Sequence, residues 1–202
     1  MIQQTKIQFL PAEMELVSSP DIILTKNAIL QKIKSFLEEL QLKQQSILQK
    51  YSSHLPEEPL KISPKISRGE NYKGLPWLVL DNPRYFQHNN IFAIRTMFWW
   101  GNFFSITLHL SGNNKTELLK KIADHFSFLG EKDFFIYDGQ KEWEHDMDPN
   151  SYKRISSLNT DELEKVTENS FLKLAVKFPI DSLEAIEDKL LRNFELLVKC
   201  CC

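Results

Sequence analysis

The chain has 202 residues, 42% of them hydrophobic and 26% charged, with 14 Phe and 4 Trp, enough apolar material for a substantial core. Its formal charge of −2 and pI near 6.2 give no general reason to bind nucleic acid or an anionic membrane, and no stretch nears the roughly 18 apolar residues of a membrane helix. The three cysteines stand together at 200–202, so no disulfide framework is available, which fits a reducing cytoplasm; Met1–Leu10 lacks the basic start and apolar run of a signal peptide.

In chain order, Pro11–Ser18 suits a turn or short helix. Ser19-Pro20 then forms a helix start, with Ser as cap and Pro in the first turn. Ile29, Ile33, Phe36, Leu40 and Ile47 recur at helical spacing, widened by Leu30, Leu37 and Leu48, and predict a helix to about Tyr51, with a break possible at Gln44. Ser52–Pro64 holds Pro56, Pro59 and Pro64 and reads as a linker, and Ser67–Pro76 as a polar loop.

Strand-like runs follow at Trp77–Leu80, Ile91–Trp99 and Phe103–Leu110. Asn114-Lys-Thr-Glu117 resembles a capping box opening a helix closed by Gly130. Phe134–Tyr137 and Phe171–Phe178 read as two more strands, with a short helix from Thr160 between them. Asp181-Ser-Leu-Glu184 suggests a second capping box, before a helix with Leu183, Ile186, Leu190, Phe194 and Leu197 on one face. The cysteines read as a loose tail. The expected fold is α+β: one domain over 1–202, with a long N-terminal helical segment (1–52), a linker (53–65), and a core (66–199) of about five strands in an antiparallel or mixed sheet, helices packed on one face.

Parity fixes the faces of the Ile91–Ser111 hairpin. A two-residue loop would place Arg95 opposite Leu108, inside an apolar layer. A three-residue loop, Trp100-Gly101-Asn102, puts Phe92, Ile94, Thr96 and Phe98 with Phe104, Ile106, Leu108 and Leu110. The other face then collects Arg95, Met97, Trp99, Phe103, Ser105, Thr107 and His109, too aromatic to stand in solvent. It is either covered by the chain or floors a pocket.

The candidate cover is the Ser67–Pro76 loop. Arg68 and Arg95 could fork onto a carboxylate or phosphate, Trp99 could stack, His109 could carry a proton, and Glu70, Asn71, Tyr72, Lys73 and Thr107 could supply polar contacts. The segment from Lys61 to Gly112 is also basic in an otherwise acidic chain. The competing reading is an internal salt bridge from Glu70 to Arg68 or Arg95. Glu142-Trp-Glu144-His145-Asp146-Met-Asp148 lacks the Gly and distal Glu of an EF-hand loop and reads as a solvated acidic loop, so no metal is assigned.

Ser105 and His109, four residues apart on one strand, lie about 13 Å apart and cannot form a nucleophile–base pair. No phosphate-binding loop, dinucleotide fingerprint, nucleophile elbow or zinc-protease helix occurs, and no cofactor is implied. Two functions remain open. One is binding of a small anionic or polar molecule between the Arg68–Lys73 loop and the hairpin's polar–aromatic face. The other is a protein-interaction or homo-oligomeric domain using the Ser19–Tyr51 and Leu183–Leu197 helices.

Overall fold

The computed structural model describes residues 7–202. Seven strands form one antiparallel sheet: β1 (Lys65–Tyr72), β2 (Leu75–Gln87), β3 (Asn90–Trp99), β4 (Phe103–Ser111), β5 (Phe135–Tyr137), β6 (Tyr152–Arg154) and β7 (Phe171–Pro179), in the order β1-β2-β3-β4-β7-β5-β6. The helices are α1 (Pro11–Val17), α2 (Pro20–Tyr51), α3 (Glu57–Leu60), α4 (Gly112–Ala123), α5 (Phe126–Glu131), α6 (Thr160–Thr167) and α7 (Ile186–Cys200). None is long and apolar enough to cross a membrane.

The hairpin register is the one parity selects, with Arg95 opposite Thr107 and Trp99 opposite Phe103. Phe92, Ile94, Phe104, Ile106, Leu108 and Leu110 therefore meet Leu37 and Leu40 of α2, Leu118 and Ile122 of α4, and Phe194 and Leu197 of α7 in one core. Each fully buried Leu or Phe contributes about 1.5–3 kcal/mol, so this face holds the fold together.

The long helix is continuous through Gln44. That side chain sits on the apolar stripe with no exposure, but its Nε2 donates to Thr96 Oγ1 at 3.0 Å, so the helix has no cause to break there. Only its first third buries no residue: the first buried residue of α2 is Leu30. The apolar face of α7 is spent on the core, and Leu183 lies outside the helix, which begins at Ile186 after Ala185 in a left-handed conformation (φ 57°).

Several expectations need correction. There are seven strands rather than about five, because β1 and β6 are polar and exist through pairing with β2 and β5. The Ser67–Pro76 "loop" is a hairpin turning at Lys73 and Gly74, both left-handed (φ 51° and 84°), the geometry of a primed two-residue turn. The linker is packed, with Leu55 and Pro59 buried. The cysteines are no tail: Phe194, Leu197, Val198 and Cys201 continue one helical face, and Cys200 and Cys201 are fully buried. Burial pushes the Cys200 thiol up to about 11.

The helix expected at Asn114 starts at Gly112. Asn114 instead donates its side-chain amide to Asn90 Oδ1 at 2.9 Å, tying α4 to the β2–β3 turn. Gly112 is left-handed (φ 58°), and a Cβ there would stand 2.0 Å from the Asn89 carbonyl oxygen. Gly112→Ala should therefore lose at least about 2 kcal/mol in urea unfolding, since both backbone strain and a backbone clash oppose it.

Candidate functional site

The second face of the sheet carries a smaller core: Val79, Met97, Trp99, Phe103, Tyr137, Met147, Tyr152, Phe171 and Ala175. Its cover is residues 138–151, the segment between β5 and β6, which lies across the sheet as a strap. The acidic stretch within it is not simply solvated: His145 and Met147 are buried, and Glu142, Glu144 and Asp146 are half-buried.

Under the strap the register aligns Lys65, Asp81, Arg95, Thr107 and Ala175 in one cross-strand row. Arg95 grips Asp81 with two parallel bonds, Nε to Oδ1 at 2.8 Å and Nη2 to Oδ2 at 3.0 Å. Its Nη1 lies 2.8 Å from His145 Nε2. A guanidinium can only donate, so Nε2 accepts and the His145 proton sits on Nδ1. That buried Nδ1–H has no partner among the described residues. Burial, then the charges of Lys173 and Arg95, holds His145 well below the usual imidazole range, in keeping with this neutral form.

One row away, Lys173 lies opposite His109 and has no exposure. Its ammonium donates to the backbone carbonyls of Glu142 (3.0 Å) and Glu144 and stands 4.6 Å from the Tyr137 ring centroid, so it stitches the strap to β7. Burial, reinforced by Arg95, lowers its pKa to about 7. His109 is held down at about 3 by burial and by the charges of Lys173 and Arg95, so its neutral ring donates Nε2–H to Glu142 Oε1 at 2.9 Å. Tyr137 and Tyr152 donate their hydroxyls to Glu144, the first at 3.0 Å to the carboxylate and the second at 2.9 Å to the backbone carbonyl.

At the rim, between β1–β2 and the strap, a cleft of about 210 Å³ is lined by Lys65, Ser67, Asp81, Arg84, Phe86, Arg95 and Trp143. Phe86 and Trp143 have ring centroids 5.9 Å apart, each 6.0 Å from the Arg95 guanidinium carbon. Neither Lys65 nor Arg84 forms an ion pair among the described residues. A larger cleft of about 740 Å³ between α5 and α6, bordered by Phe126, Ile155 and Leu163, brings two carboxylates, Glu131 and Glu164, and no cation.

The structure brings together only part of the expected site. Arg95, Trp99, Thr107 and His109 share the strap-covered face. Tyr72 joins them, packing on Trp99 at 5.3 Å and accepting the His145 backbone N–H at 2.6 Å, and Lys73 pairs with Asp146 of the strap. Arg68 and Glu70 alternate to the opposite face, where Glu70 binds Lys26 of α2 at 2.8 Å rather than either arginine. Asn71 accepts the Gly74 N–H within its own turn. The 68–73 segment therefore does not roof the face; the strap does. Sequence reasoning missed Asp81, Lys65, Arg84, Glu142, Trp143, His145 and Lys173 as members. Lys65, Arg84 and Asp81 figured only in the basic balance of residues 61–112, and Glu142, Trp143 and His145 only as a solvated acidic loop; Lys173 carried a signal of its own, since it interrupts the strand Phe171–Phe178 on the same side as Ala175.

Among the described residues no group of three or more His, Cys, Asp or Glu side chains is arranged to hold a metal ion. Comparison with known protein families, characterised proteins and solved structures found no match, so the geometry of this face has to speak for itself.

Proposed function

We propose that the protein binds a small anionic molecule with a flat apolar portion in the rim cleft between β1–β2 and the strap. One observation carries this reading: Lys65 and Arg84 converge without carboxylate partners on a cleft whose only acid, Asp81, is already committed to Arg95. The local charge is thus positive, and a carboxylate or phosphate would supply the counter-charge. Phe86 and Trp143 offer the walls for a ring, and Trp143, 51% exposed, is open to it. The buried Asp81–Arg95–His145 network acts here as a rigid floor that keeps the cleft's shape. The reading shifts the expected site from the 68–73 segment to the adjacent β1–β2 surface and retains its ligand class. A cytoplasmic setting, in keeping with three free cysteines, belongs to the same proposal.

Titration with benzoate and with inorganic phosphate, followed by tryptophan fluorescence and calorimetry at low salt, tests it. Saturable binding of at least one probe is expected, weakened about tenfold or more by Arg84→Ala, since a bond to a charged group contributes about 1.5–3 kcal/mol. Folding should not change, because Arg84 forms no ion pair among the described residues. Absence of saturable binding, or binding indifferent to Arg84→Ala, would overturn the proposal.

A further inference from the structure

The N-terminal arm, residues 7–29, carries apolar surface that the other described residues leave uncovered. α1 has no buried residue, and α2 buries none before Leu30. Ile7 is 80% exposed, Leu10 67%, Val17 64% and Leu24 62%. Isolated exposed leucines are ordinary, but a contiguous stretch of this size marks an interface. The arm's 23 residues, ten of them large apolar side chains 36–80% exposed, match the roughly 20–30 residues a side of a standard interface.

The α2 part of the arm walls one side of an apolar groove of about 540 Å³, where Ile22, Ile23 and Ile29 face Leu75, Pro76 and Trp100 at the turn end of the sheet. The chain's own α1 does not fill it, since no residue of α1 is buried. Charge argues against a lipid surface as the occupant: between residues 7 and 29 the acids Glu13, Glu15 and Asp21 accompany a single base, Lys26, which already pairs with Glu70.

We propose that a second copy of the chain covers this surface, with α1 of each protomer seating its apolar side chains in the groove of the other. Every copy carries one arm and one groove, so two identical contacts close about a two-fold axis, the commonest arrangement for a homodimer. The inference is independent of the ligand reading, because the groove lies at the turn end of the sheet and shares no residue with the rim cleft.

Sedimentation equilibrium of the full chain across protein concentration decides it. A species of twice the 23.7 kDa chain mass is expected. The arm variant Leu10→Glu/Val17→Glu and, separately, the groove variant Ile23→Glu should each weaken the dimer at least a hundredfold while leaving the circular-dichroism spectrum unchanged. Leu42→Glu, at an exposed α2 position outside the arm (64% exposed), should leave the dimer intact. Should the arm variant misfold, Ile23→Glu carries the test. A monomer at every concentration overturns the proposal, and so does a dimer that survives both substitutions.

Discussion

Replacing Arg95 with Met is expected to destabilise the protein by about 3–5 kcal/mol, the range found when one partner of a buried ion pair is removed. Asp81 is only 6% exposed and accepts both of its strong bonds from Arg95, so the substitution leaves a buried carboxylate uncompensated. It also frees His145 Nε2, and with it one of the ties that hold the strap to β3. For a chain of this size the loss corresponds to a melting temperature lower by roughly 10 °C.

The double variant Asp81→Leu/Arg95→Met should recover most of that loss, because no charge then remains to be buried. Thermal scans of the three proteins measure both effects. An Arg95→Met protein as stable as the parent would mean that the arginine is kept for something other than folding, and the rim cleft would be its place of action.

The second large effect is acid destabilisation. The folded state holds His109 at about 3 and His145 well below its ordinary range, whereas the unfolded chain titrates both near 6.5. Below pH 6.5 the unfolded chain therefore takes up protons that the folded chain refuses. The stability that the two imidazoles contribute is complete above that point and is lost as the pH falls toward 3. Each histidine contributes a slope approaching about 1.4 kcal/mol per pH unit, so the summed loss is on the order of several kcal/mol, comparable with the whole stability of an ordinary domain.

Glu142, whose pKa burial raises, opposes this trend only within the carboxylate range. Urea midpoints between pH 4 and 7 should fall steeply on acidification, and His109→Phe should flatten the curve by removing one of the two reluctant bases. A parent protein with flat midpoints would show that the imidazoles are not held neutral by burial.

The helix-covered face was largely legible. Ile33, Phe36, Leu37 and Leu40 repeat at 3.6 residues, and the hairpin alternates at 2, so each element declares the side it buries. The same logic placed Arg95, Thr107 and His109 together on the opposite face. What covers that face was not legible. Glu142, His145 and Asp146 look like a solvent loop in sequence, because their burial depends on Lys173 and Arg95, which lie far along the chain. Glu70 shows the converse: it stands three residues past Ser67 in a polar run, yet its strand alternates it to the helix side, where Lys26 takes it.

Local periodicity and the parity of one loop were thus sufficient for the α+β class, the long helix and the two faces of the central hairpin, because burying one apolar face admits a single register. The polar edge strands β1 and β6, the packing of Cys200 and Cys201 into the core, the strap and the open rim cleft were decided by tertiary structure alone. Each depends on a partner distant in sequence, whether the β2 ladder beneath β1, the helix stripe that carries the cysteines inward, or the buried ammonium of Lys173 that draws two backbone carbonyls of the strap onto the sheet. Polar groups carry no periodicity that announces such partners; they are placed by the hydrogen bonds that burial obliges them to make.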